Sequence, residues 1–194
     1  MKKLFKKILE ILNKYSSGKN VLLFFVVTQI FYGTMLLFSI PKVMQYSNGM
    51  KILDMLPTGY SAEYVQTLFQ TLGEIGQNVY LFQQIPLDMF YPGLFAISYS
   101  LLLAFIFKKV FSKESKLQLL SIVPIFGGLS DYFENIGIIA MLNIYPNFIP
   151  KLANITAVFS VLKSTFTIIM FVLLTFGIMM FPIKKLKNRK HSPK

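Results

Sequence analysis

The stretch VLLFFVVTQIFYGTMLLFSI, residues 21–40, holds twenty residues and no charge. At ~1.5 Å per residue, a helix of that length crosses a hydrocarbon core about 30 Å thick. Residues 81–107, 117–142 and 155–183 form three more apolar blocks of spanning length. Apolar residues make up 54% of the chain and charged residues 14%. A soluble domain could carry that average, so the segregation into long blocks decides the class. The expected fold is all-α: a four-helix transmembrane bundle over residues 21–183, with spans at about 21–40, 81–107, 117–142 and 155–183. A basic amphipathic interfacial segment (1–20) precedes it and a basic cytoplasmic tail (184–194) follows.

Between the blocks the signals are local. In residues 1–20, Leu4, Phe5, Ile8, Leu12 and Tyr15 share one helical face, and Lys3, Lys6, Lys7, Glu10 and Lys14 the other. That pattern suits a helix lying on a membrane surface. No A-x-A-like cleavage site follows the first apolar block, so the segment reads as retained. The outer loop, 43–80, contains a short amphipathic helix at 61–72, with Val65, Leu68, Phe69 and Leu72 as its apolar stripe. Ser61 can cap it and Gly73 can end it. Pro86 and Pro92 should bend the second span. Ala96, Ser100 and Ala104 repeat small residues every fourth position, which allows close approach of another helix.

The net charge is +12. The basic residues flank apolar blocks, which points to anionic lipid headgroups as partners and not to nucleic acid. Lys2, Lys3, Lys6, Lys7, Lys14 and Lys19 precede the first block, Lys108, Lys109, Lys113 and Lys116 join the second to the third, and six more follow the fourth. The other two connections hold only Lys42, Lys51 and Lys151. The bias expects a multi-pass protein of the cytoplasmic (plasma) membrane with both termini cytoplasmic.

The chain has no cysteine, which excludes disulfides and thiolate chemistry. Its one histidine, His191, reads as a solvated tail residue, so no histidine metal or haem site can be built, and no metal or cofactor is expected. Nucleotide-binding, hydrolase and zinc-protease motifs are absent.

What remains is a set of ionisable side chains at bilayer depth, where a charge costs at least about 2.5–3.5 kcal/mol on insertion scales. Counted from the cytoplasmic ends, Asp131 lies roughly 22 Å deep, Glu134 roughly 27 Å, and Asp88 and Lys163 roughly 30 Å. Three helices thus place charges in the same outer half of the bundle. Asp131, Glu134 and Asn135 fall on one face with Gly127, Gly128 and Ile138. Two carboxylates one turn apart do not both ionise cheaply in low dielectric unless a cation joins them, and Lys163 is the buried cation available. On its own helix Lys163 shares a face with Thr156, Ser160 and Thr167. Gln84, Asp88 and Tyr91 share a face of the second span, and Pro92 leaves the Asp88 carbonyl without its helical donor. The candidate ligand- or proton-binding set is therefore Asp88, Tyr91, Asp131, Glu134, Asn135 and Lys163. Tyr46, Tyr60, Tyr80 and Tyr145, near span ends, read as aromatic-belt residues.

The segments Leu87-Asp88-Met89-Phe90-Tyr91-Pro92 and Asp131-Tyr132-Phe133-Glu134-Asn135, with Gly59-Tyr60 ahead of them, resemble a family of uncharacterised bacterial four-helix membrane proteins. That resemblance implies the four-helix fold and no particular activity. More distantly, a four-helix bundle with acidic residues in a membrane pocket is similar in architecture to the emopamil-binding and sigma-2-type proteins that bind sterols. Three functions compete: a pocket that binds or transports a small molecule or lipid-like ligand, a membrane enzyme using the carboxylates as acid and base, and a structural subunit held by a polar cluster. The first is favoured. Four helices are few for alternating access, so transport would call for a homodimer, with Ala96, Ser100 and Ala104 as one contact face.

A test of the topology follows from the absence of cysteine. A single cysteine placed at Ser61 should react with a membrane-impermeant maleimide from the outer side of sealed cells. Reaction only in inverted vesicles would reverse the orientation.

Overall fold

The computed structural model describes residues 2–112 and 115–190, and all of their regular structure is helical. His191 and the basic residues Lys113 and Lys194 lie outside the described residues. The helices are α1 (Lys2–Tyr15), α2 (Gly18–Met44), α3 (Ala62–Val110), α4 (Val123–Ile144) and α5 (Pro150–Lys190), with short 3-10 turns at Leu53–Met55 and Lys116–Ile122. Three of them, α2, α3 and α5 as far as Pro182, are long and apolar enough to cross a membrane. The chain is a helical protein with the helices of a membrane protein.

α3 is the hub. It packs against α1, α2, α4 and α5, and α4 lies between α3 and α5. Outward faces are apolar: Leu23, Ile30 and Leu37 on α2, Phe90 and Ile97 on α3, and Ile168 and Val172 on α5 are exposed. Gln84, Asp88, Glu134 and Asn135 are buried. This inversion of the soluble pattern fits hydrocarbon surroundings, where only the interior can satisfy polar groups.

Several boundaries differ from those read in the sequence. Gly73 does not end the outer helix. Its backbone (φ 59°, ψ −176°) is one that glycine adopts without strain, and the helix resumes at once. Gln77 Nε2 donates to the Phe69 carbonyl across the break (2.8 Å), so the interrupted ladder keeps a donor. The expected loop 43–80 therefore shrinks to residues 45–61. Ser61 does cap the helix, its hydroxyl accepting from Tyr64 N at 3.1 Å. The third block starts as a 3-10 turn, and Pro124 stands in the first turn of α4, where its missing N–H is harmless. α5 begins at Pro150, five residues ahead of the expected span, again with proline at its first position.

Two widened π-turns meet inside the bundle. Met35–Ser39 precedes Pro41, and Tyr80–Gln84 precedes Pro86. A π-turn re-routes carbonyls that a proline nitrogen cannot serve. Ser39 Oγ donates to Gln84 Oε1, which ties the two irregular turns together.

α1 is held more firmly than a helix resting on lipid. Phe5, Ile8 and Leu12 pack on Leu101, Ala104 and Ile122. Asn13 Nδ2 donates to Gln118 Oε1 (3.1 Å), and Lys108 Nζ donates to Ser16 Oγ (2.9 Å). Ser100 and Ala104, read as a face for a second helix, are buried within this chain.

The helices close on glycine. A Cβ on Gly128 would lie 2.6 Å from the Pro92 carbonyl oxygen, and one on Gly137 would collide with the Thr156 side chain. Gly128 thus sets the approach of α4 to α3, and Gly137 its approach to α5. Gly33 of α2 has nothing within 4 Å of the same position. Gly128→Ala should destabilise the protein by about 1–3 kcal/mol, because backbone cannot give way as a side chain can. Gly33→Ala should be neutral or stabilising by up to ~1 kcal/mol. Thermal unfolding of both variants in detergent checks the contrast.

Candidate functional site

The polar residues of three helices converge where α3, α4 and α5 meet. Lys163 Nζ lies 2.8 Å from Asp131 Oδ1 and 3.0 Å from Glu134 Oε2. Both carboxylates are one turn apart on α4, so a single ammonium reaches both. Glu134 is wholly buried, while the Lys163 side chain keeps 21% of its surface open. That opening is a cavity of about 570 Å³.

The cavity takes its walls from α2, α3, α4 and α5. Its polar end is formed by Asp54, Gln84, Asp88, Asp131 and Lys163. Its walls include Tyr32, Tyr91, Phe95, Tyr99 and Phe171. Gln29 Nε2 donates to the Tyr99 hydroxyl (3.3 Å), and Tyr32 stacks on Tyr91 with ring centroids 5.6 Å apart. α2 and α5 each contribute wall residues yet do not pack along one another. Between them, Tyr32, Leu36, Ile168 and Phe171 are exposed at the rim. The cavity is therefore bounded on that side by two separated helices with apolar, exposed rim residues.

Of the six residues singled out in the sequence, Asp88, Tyr91, Asp131 and Lys163 line this cavity. Glu134 and Asn135 do not. Glu134 sits behind Lys163 as its second carboxylate. Asn135 Nδ2 donates to the Asp88 carbonyl at 3.0 Å. That is the acceptor Pro92 releases from the helical ladder, and the neighbouring helix supplies the donor. The expected common pocket for all of them thus divides into a lining and a supporting layer.

Asp54 was missed. It comes from the 3-10 turn between α2 and α3, where no helical periodicity marks it, and it lines the same cavity. The Tyr80 hydroxyl donates to Asp54 Oδ2 at 2.8 Å. The loop that carries Asp54 is pinned to α5: Ser160 Oγ donates to the Leu56 carbonyl (2.9 Å), and Gly59 (φ 82°) presses on Ala157. Ser160 lies on the same face as Lys163, as its spacing implied.

Tyr60 and Tyr80 are not belt residues. Tyr80 is fully buried, and the Tyr60 hydroxyl is buried without a hydrogen-bond partner. Burial, then the nearby carboxyl groups of Glu134 and Asp54, hold the Tyr60 phenol well above its ordinary range, so it is a neutral donor facing acidic neighbours. One oxygen each of Asp54, Asp88 and Glu134, and Asn135 Oδ1, are also buried with no hydrogen-bond donor among the described residues. Buried polar atoms are usually paired, and here several unpaired ones lie on residues in or next to the cavity wall.

No family model, curated protein or solved structure matches the chain.

Removing one member of the ion cluster should cost more than removing all of it. Lys163→Met leaves two carboxyl groups facing each other and should lower stability by about 3 kcal/mol, whereas the triple change Lys163→Met, Asp131→Asn, Glu134→Gln should recover most of that loss. Unfolding midpoints in detergent decide it. A Lys163→Met variant as stable as the wild type would remove the ion cluster from the forces that hold the bundle.

Proposed function

We propose that the protein is a multi-pass membrane protein whose cavity binds an amphipathic, lipid-like molecule that enters sideways between α2 and α5. The observation that carries this reading is the lining of the cavity: the charged groups Asp54, Asp88, Asp131 and Lys163 gathered together, mainly aromatic and aliphatic walls with Gln29, Ser164 and Thr167 among them, and an apolar rim on two helices that stand apart. An aqueous metabolite would meet mostly ring faces and methyl groups there. A molecule with a polar head and an apolar chain matches both parts.

In this reading α4 is a fourth pass. Its 22 residues extend about 33 Å at ~1.5 Å per residue. Its polar side chains point inward, and Leu129, Phe133 and Ile136 are exposed on its outer side. Lysine bias then sets both termini on the cytoplasmic side of the plasma membrane, with residues 45–61 and the polar end of the cavity toward the outside.

The chain has no tryptophan, so one can be introduced as a reporter. Tyr99 lines the cavity, and Phe107 is buried in the aromatic and aliphatic core nearer the cytoplasmic end of α3. Reconstituted in phosphatidylcholine with brominated acyl chains, the Tyr99→Trp variant should be quenched more strongly than the Phe107→Trp variant. Equal quenching of the two would reject entry of chains from the bilayer.

A further inference from the structure

Resting on the reading of the cavity as a ligand pocket, we propose that the headgroup it takes is an organic cation, an ammonium group carried on an apolar chain. Four carboxyl groups, Asp54, Asp88, Asp131 and Glu134, lie in the cavity wall or directly behind it, with Lys163 as the one ammonium there among the described residues. Lys163 lies at ion-pair distance from Asp131 and Glu134. Asp54 and Asp88 form the cavity wall with no cation at that distance among the described residues. Asp54 accepts one hydrogen bond, from Tyr80. Asp88 is 96% buried, lines the cavity, and its Oδ2 has no donor.

Charge balance in such a site requires either protons on the carboxyl groups or a positive group between them. Among the described residues no three acidic side chains stand close enough together to hold a metal ion. A cation that takes the place of those protons would be one held by charge and shape. Tyr32, Tyr91, Phe95 and Tyr99 present aromatic rings along the same cavity, and ring faces attract ammonium groups more than neutral or anionic heads. An anionic head would face Asp54 and Asp88 at its seat, and would have to draw Lys163 away from two carboxylates. The apolar rim between α2 and α5 accommodates the chain.

The step is an exchange. Excess carboxyl groups that are neutral in the free protein do so by holding protons, and a bound ammonium replaces them, so uptake of the cation releases protons to solvent. No bond to carbon forms or breaks.

The test uses the full chain in phosphatidylcholine nanodiscs at neutral pH, by equilibrium dialysis with empty nanodiscs as background. The probes are radiolabelled decyltrimethylammonium, decanol and decyl sulfate. Wild-type protein should bind the ammonium probe saturably and at least about 30-fold more tightly than decanol, with proton release seen by a dye in weak buffer. Asp88→Asn should weaken the ammonium probe about tenfold and leave decanol unchanged, and Asp54→Asn should act in the same direction. Equal binding of ammonium and decanol, tighter binding of decyl sulfate, or ammonium binding indifferent to both variants would overturn the cation and leave the pocket standing. Binding of none of the three probes would reject the pocket itself.

Discussion

The ammonium of Lys163 bridges Asp131 and Glu134 at 2.8 and 3.0 Å, and α3, α4 and α5 are arranged to keep that cluster in the interior. Charges at bilayer depth are tolerated only when they face one another or a cavity. α4 supplies both carboxylates from one face and turns an apolar face outward. α5 supplies the lysine, and below it Ser160 and Thr156 on the same stripe are buried. Close contact of α4 with both neighbours, made possible by Gly128 and Gly137, keeps the lysine within reach of its partners. Bulk at either glycine would separate helices whose charges have no other counterions nearby.

The same constraint acts on backbone groups. A proline in a membrane helix frees carbonyls that water cannot reach, and something nearby must serve them. α3 handles this twice. The π-turn Tyr80–Gln84 absorbs the strain of Pro86, and Asn135 of α4 donates to the Asp88 carbonyl released by Pro92. Asn135 therefore couples the helix irregularity to the acidic cluster: the side chain that repairs α3 stands one residue from Glu134. Irregular backbone and ionisable groups sit together because both need an interior supplied with polar partners.

The cavity is a consequence of what does not pack. α2 holds to α3, and α5 holds to α4 and α3, so the fourth side of the arrangement stays open between α2 and α5. The loop after α2 closes one end only. It brings Asp54 and Tyr60 over the cluster and is fastened to α5 through Ser160. Carboxyl groups thus reach the cavity from a loop and two helices, and among the described residues only Lys163 stands at ion-pair distance from any of them.

The sequence by itself determined the helical class, the apolar blocks and the helix faces. Long uncharged blocks, clustered lysines and acidic residues on one helix face follow from composition and a 3.6-residue period, and those are local properties. The Asp131, Glu134 and Asn135 stripe and the Lys163 stripe were legible for that reason, and so was the carbonyl that Pro92 leaves free. Only the tertiary structure decided which partner each group meets. Asp54 lies in a short 3-10 turn with no period to mark its direction, so its place in the cavity depends on how the loop is pinned to α5. Tyr60 and Tyr80 resemble belt residues by position and are interior by packing. Gly73 looks like a helix end, yet a glycine at positive φ can also carry a helix through a kink, and the buried contacts on either side choose the second. Whether two helices touch or leave a gap depends on side chains from both, and no single segment contains that information.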